Sequence, residues 1–155
     1  MRGKKAKKRI TTPDPIYKSR IVSKMIVSIM MGGKKSTARD IIYGVLKKLN
    51  EDEKEALKIF EQAVKNVMPQ QEVRSKRVGG ATYQVPIPLK HDRSETLAAR
   101  WIITAARSKK GKPMVEKLYS VMSDSYNNTG DAIKKRDDTH RMAEANRAFA
   151  HFARF

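Results

Sequence analysis

The chain has 155 residues, no Cys, and 34 Lys and Arg against 16 Asp and Glu, a formal charge of +18. A surplus of that size opposes compaction unless an anionic partner relieves it, so a polyanion is the expected partner. Without Cys there are no disulfides, no thiolate catalysis and no cysteine-held zinc, and nothing points to an oxidising compartment; the length and a 39% hydrophobic content suit one domain around one core.

The charge is uneven along the chain. Residues 1–20 carry +7, residues 36–68 are neutral, and residues 69–112 carry +7 again. The middle therefore reads as scaffold and its flanks as contact surface. Arg2, Lys4, Lys5, Lys7, Lys8 and Arg9 crowd the start with Ala6 as the one apolar neighbour. Such a segment buries too little to offset its ordering entropy, so a disordered basic arm is expected. Thr11, Pro13, Asp14 and Lys18 fill the place where a signal peptide would be apolar, so no export signal is expected. The most apolar run, Ile21 to Met31, is broken by Ser23, Lys24 and Ser28 and falls short of the roughly 20 residues that span a bilayer.

Helical periodicity begins at Arg20, with Ile21, Val22, Met25, Ile26, Ile29 and Met30 on one stripe, and Gly32 and Gly33 stop it. Thr37 with Asp40 predicts the cap of a second helix bearing Ile42, Val45 and Leu46, which ends at Asn50. Asp52 with Glu55 opens a third through Phe60, Val64 and Val67, halted by Pro69. Between residues 72 and 89 the period becomes two: Tyr83, Val85, Ile87 and Leu89 share a face, and Gly79-Gly80 supplies a hairpin turn. Pro86 and Pro88 confine the second strand to an edge or end its pairing early. Asp92 with Glu95 predicts the cap of a fourth helix, with Trp101 and Ile102 turned inward and Gly111 at its close. Pro113 opens a fifth that ends at Asn127-Asn128, and a sixth follows Asp131 with Met142, Ala145, Phe149 and Phe152 on one stripe.

Enzymatic signals are weak. GGKKST at residues 32–37 departs from a nucleotide-binding loop, because Lys35 stands where Ser or Thr is required and a helix precedes it. Two readings stay open there: a plain helix-helix turn, or a phosphate contact at a helix N-terminus. His91, His140 and His151 lack partners at metal-site spacing, and His140 with Glu144 reads as a solvated helical pair, so no metal and no cofactor are expected. No activated nucleophile is recognisable either, and an enzyme is not expected.

Polyanion binding has better support. Arg93, Arg100 and Arg107 recur every seven residues along the fourth helix, and Lys109, Lys110 and Lys112 extend that rail with no acid among them. Arg74, Lys76 and Arg77 decorate the hairpin, which is marginal as an isolated ribbon. Tyr83 either stacks on bases or packs beneath its own arm.

DPIYKSR at 14–20, GGKKSTA at 32–38, VRSKRVGGATYQVP at 73–86, LAARW at 97–101 and THRMAEANRAFAHF at 139–152 together closely resemble the small-subunit ribosomal protein seven family of bacterial and organellar type. The resemblance spans the chain and implies a mostly α fold: six helices in a bundle, with a protruding two-stranded hairpin between the third and fourth. It implies one RNA-binding domain over 1–155, with a basic arm over 1–19 and a hairpin arm over 72–89. The implied role is structural: a primary binder of the 3′ major domain of small-subunit ribosomal RNA that nucleates assembly of the subunit head. The ribosomal RNA contacts it implies are Arg2, Lys4, Lys5, Lys7, Lys8, Arg9, Lys34, Lys35, Arg74, Lys76, Arg77 and the basic residues of the fourth helix and its extension. Gly79, Gly80 and Tyr83 would lie near exit-site transfer RNA and messenger. Arg141, Asn146, Arg147 and Phe149 would serve exit-site contacts or contacts with neighbouring ribosomal proteins, including protein eleven. Ribosome-bound cytoplasmic residence follows, bacterial or organellar, with no membrane partner. This sequence departs from the family pattern where Ala153 comes between AFAHF and Arg154, and where Tyr119 and Tyr126 replace smaller residues. The rival from another class is a DNA-binding regulator of helix-turn-helix type, since paired helices with Gly-containing turns and basic residues imitate that module.

Overall fold

The computed structural model of the chain describes Gly3 and residues 10–154. The six arm residues Arg2, Lys4, Lys5, Lys7, Lys8 and Arg9 lie outside the described residues. The elements run α1 (Arg20–Ile29), α2 (Lys35–Leu49), α3 (Glu53–Val67), β1 (Gln71–Val78), β2 (Ala81–Pro88), α4 (His91–Ser108), α5 (Met114–Tyr126), α6 (Asp131–Ala145) and a 3-10 helix (Arg147–Arg154). This is the expected helical bundle with a ribbon between its third and fourth helices. Among the described residues no helix is long and apolar enough to cross a membrane.

The bundle forms because each apolar stripe has another to face. Val22, Met25, Ile26 and Ile29 of α1, Ile42, Val45 and Leu46 of α2, and Phe60, Val64 and Val67 of α3 are all buried. They join Ile102 of α4 and Leu118 and Met122 of α5 in one cluster. Helix α5 packs against α2, α3 and α4 together, which makes it the hub of the bundle. Each such buried aliphatic or aromatic side chain contributes about 1.5–3 kcal/mol.

Helix starts depart from expectation in two places. The α2 helix begins at Lys35, with Lys34 in the N-cap position, so Thr37 lies inside the first turn rather than capping it. The α4 helix begins at His91 after Lys90; Asp92 falls in its first turn, while Glu95 is 5% exposed and pairs with Lys24 of α1. Its C-terminal end comes at Ser108, before Gly111. The Asp52 cap is as expected, its Oδ1 accepting the Lys54 N–H at 3.0 Å.

The ribbon is antiparallel, with Val78 opposite Ala81, so its loop is the two residues Gly79 and Gly80. Their φ values of +58° and +91° suit a type I′ turn, which demands positive φ at both positions. Pairing persists to Gln71 opposite Pro88. The Leu89 N–H donates to the Gln70 carbonyl at 2.9 Å, so odd positions of β2 face β1. Pro86 and Pro88 therefore occupy the alternate positions, where a donor would point away from the partner.

The ribbon does not stand free. Helix α6 packs on β1, and the 3-10 helix packs on β2. The expected stripe through Met142, Ala145, Phe149 and Phe152 is broken, because α6 ends at Ala145 and the chain tightens to 3-10 geometry from Arg147. Met142 is 55% exposed, and the buried residue of that turn is Ala143.

Candidate nucleic-acid interface

The expected contact residues divide by whether the fold already occupies them. Among the described residues, the side chains of Lys34, Lys35, Arg77, Arg100, Lys110 and Lys112 are exposed and make no ion pair or hydrogen bond. The others have partners within the chain. Lys109 reaches Ser120 Oγ at 2.7 Å and Asp124 at 3.3 Å, tying the α4–α5 connection to α5. Arg107 donates to the Ile29 carbonyl at 3.2 Å, placing a cation at the C-terminus of α1, where the helix dipole favours it. Lys76 donates to the Phe152 carbonyl at 2.9 Å.

Arg74 and Arg93 share one acid. Oε1 of Glu72 accepts from Arg74 Nη2 at 2.6 Å and Nε at 2.7 Å, and Oε2 accepts from Arg93 Nη2 at 3.2 Å. Burial by itself pushes the Glu72 carboxyl up, but the hydrogen bonds and charges of both arginines outweigh it and hold the group below its ordinary 4.5.

These links place the cations in sequence. Arg93, Arg100 and Arg107 stand at heptad spacing on one continuous helix, so the rail runs about 21 Å along α4. At one end Arg93 meets Arg74 of the ribbon through Glu72. At the other, Arg107 and Lys34 line one groove of about 360 Å³, together with Met31, Ile41 and Met114. The GGKK turn thus lies beside the C-terminal end of the rail. Gly32 and Gly33 have φ of +58° and +74°, so the bend of the turn relies on glycine.

The residues expected near transfer RNA and messenger are also apportioned. Gly79 and Gly80 are exposed at the ribbon tip. Tyr83 takes the packed alternative, with cover supplied by the 3-10 helix: its ring centroid lies 5.2 Å from that of Phe149 and 5.0 Å from that of Phe152. Arg147 pairs with Glu144 at 3.2 Å and Arg141 with Asp138 at 3.7 Å, both exposed pairs of little energetic weight. Asn146 donates to the Met142 carbonyl at 2.7 Å, closing α6.

Spacing rules overlooked three polar features. Asp14 is 4% exposed; its carboxylate accepts from the Ile16 and Tyr17 N–H groups at 3.2 Å and from the Tyr43 hydroxyl at 3.0 Å. It therefore joins the turn before α1 to α2. His140 accepts from the Gln70 N–H through Nε2 at 3.1 Å, linking α6 to the start of the ribbon rather than pairing with Glu144. His91, Asp92 and Glu95 bring ligand-type atoms within 4.8 Å of one another, but the buried member, Glu95, is neutralised by Lys24. A short-range signal existed for Asp14 alone, as Asp before Pro is a frequent turn opener.

A basic, mostly helical chain with a paired ribbon and a set of exposed cations that have no intrachain partner among the described residues belongs to the class of nucleic-acid-binding proteins. Comparison with known proteins sharpens this. The family described as Ribosomal protein S7p/S5e matches residues 1–147. A protein of Fervidobacterium nodosum named small ribosomal subunit protein uS7 is 54% identical over 153 residues, which cover 98% of this chain and 99% of that one. Proteins of the same name from Thermosipho africanus and Nautilia profundicola are 55% and 50% identical over the same coverage. The chain belongs to the ribosomal protein S7p/S5e family, a structural, non-enzymatic family of ribosomal RNA-binding components.

Proposed function

We propose that this chain, a structural constituent of the small ribosomal subunit, is a primary binder of the 3′ major domain of small-subunit ribosomal RNA and nucleates assembly of the subunit head. The observation that carries the reading is a set of cations unpartnered among the described residues: Arg100 on α4, Lys110 and Lys112 just beyond its end, and Lys34 and Lys35 at the start of α2, where Lys34 shares a groove with Arg107. An RNA junction brings phosphates close together, and a fixed cationic surface lowers that repulsion and releases counterions. The exposed tip at Gly79 and Gly80 is the part of the ribbon offered to exit-site transfer RNA and messenger. Arg141 of α6 and Arg147 at the start of the 3-10 helix are offered to neighbouring ribosomal proteins, protein eleven among them. Residence on ribosomes of a bacterial cytoplasm fits the organisms of the relatives.

Competition binding at fixed salt, between a 3′ major domain RNA fragment and a DNA duplex of equal length, tests the reading. Preference for the RNA is expected; equal affinity would restore the DNA-regulator alternative. Changing Lys34, Lys35, Arg100, Lys110 and Lys112 to Ala should lower the slope of log K against log salt by up to about one unit per lost phosphate contact. Changing Arg141 and Arg147 should leave it nearly unaltered.

A further inference from the structure

We infer that Glu72 is a positioning residue for RNA: a buried carboxylate that holds Arg74 of the ribbon and Arg93 of α4 as one paired guanidinium site for a backbone phosphate. The inference deepens the ribosomal RNA reading above and rests on it. An acid inside such a surface runs against simple charge counting, since it lowers attraction for a polyanion.

The geometry argues otherwise. Glu72 is 8% exposed, whereas the Arg74 and Arg93 side chains are 56% and 43% exposed. The acid lies beneath and the two cations face outward. Only Nε and Nη2 of Arg74 and Nη2 of Arg93 point at Glu72. Among the described residues the remaining N–H groups of both forks have no acceptor, and the trio keeps a net positive charge. Left unbridged, two neighbouring guanidiniums would repel and sample many rotamers; a shared carboxylate aligns them and removes that entropy before a ligand arrives. The platform beneath is firm. The Ser94 hydroxyl donates to the Pro69 carbonyl at 2.6 Å, and the Leu89 N–H to the Gln70 carbonyl at 2.9 Å, so the start of α4 and the base of the ribbon are fastened together. The ligand that suits two planar forks side by side is a phosphodiester, taken up by several N–H groups at once.

Simple charge counting and positioning predict opposite signs for Glu72→Gln. Removing a negative charge from a polyanion-binding surface should tighten binding; loss of the bridge should weaken it. With the full chain and the 3′ major domain RNA fragment, we expect Glu72→Gln to weaken binding by about tenfold and Arg74→Lys with Arg93→Lys, which keep the charge and lose the forks, to do the same. In a background already carrying Arg74→Ala and Arg93→Ala, Glu72→Gln should have no further effect. Unchanged or tighter binding by Glu72→Gln overturns the assignment, as does a loss that persists in the double-Ala background, which would mark Glu72 as merely structural. Should Glu72→Gln fail to fold, the exposed Arg-to-Lys pair decides alone: wild-type affinity overturns the assignment. A wild-type chain that binds the fragment no better than an unrelated RNA duplex of equal length instead sinks the ribosomal RNA reading, and this inference with it.

Discussion

At the scale of single residues, the fold depends on a few buried acids that gather donors from distant elements. Asp14 is one: two backbone N–H groups and the Tyr43 hydroxyl converge on it. Burial pushes the Tyr43 phenol up from 10.0, and its hydrogen bond to the Asp14 carboxylate adds to the rise, to about 12. The raised value means that the folded state favours the neutral phenol. That stabilisation is complete below pH 10 and is lost as pH rises through about 12. Ultraviolet titration should therefore show one tyrosine ionising near 12, and Asp14→Ala should return it toward 10. The same substitution should cost about 1–3 kcal/mol in denaturant unfolding by leaving donors without an acceptor. Loss of neither the late titration nor stability would show that Asp14 does not organise this turn.

At the scale of elements, the 3-10 helix clasps the ribbon. Phe149 and Phe152 lie on Tyr83, and the Phe152 carbonyl receives Lys76. Aromatic pairs of this kind contribute about 0.5–1.5 kcal/mol each beyond burial, so Phe149→Ala with Phe152→Ala should speed amide exchange across residues 73–85 while leaving α1 to α5 protected. Uniform protection would mean that the ribbon holds itself. The ribbon was fully legible in the sequence, because alternation and a Gly-Gly turn are local and reinforce each other. The clasp was not: a 3.6-residue stripe carried through Ala145 looks continuous, and only packing reveals the change to 3-10 geometry. Helix interiors read correctly for the same local reason, whereas the Thr37 and Asp92 caps misled, since glycines before Lys34 and the ribbon's exit at Leu89 let both helices start earlier. In the candidate site, the positions of the cations were legible from spacing. Which of them were already engaged was not, because Glu72 and Arg93 meet across 21 residues.

At the scale of the whole molecule, core and charge are separable. The cluster around Phe60, which is 0% exposed, anchors the core, while the cations of the proposed RNA surface lie exposed outside it. Phe60→Ala should cost about 3–5 kcal/mol of unfolding free energy yet leave the salt slope of RNA binding unchanged in the folded fraction. A changed slope would show that the rail's shape depends on the core more closely than the packing suggests. The two prolines of β2 carry a last consequence. With Pro86 and Pro88 aimed away from β1, the outer rim of the ribbon near its base lacks the donors that an incoming strand would require. Two copies of the chain meeting before either finds its RNA cannot zip together along that rim, so a surplus of newly made molecules is protected from sheet-to-sheet aggregation there.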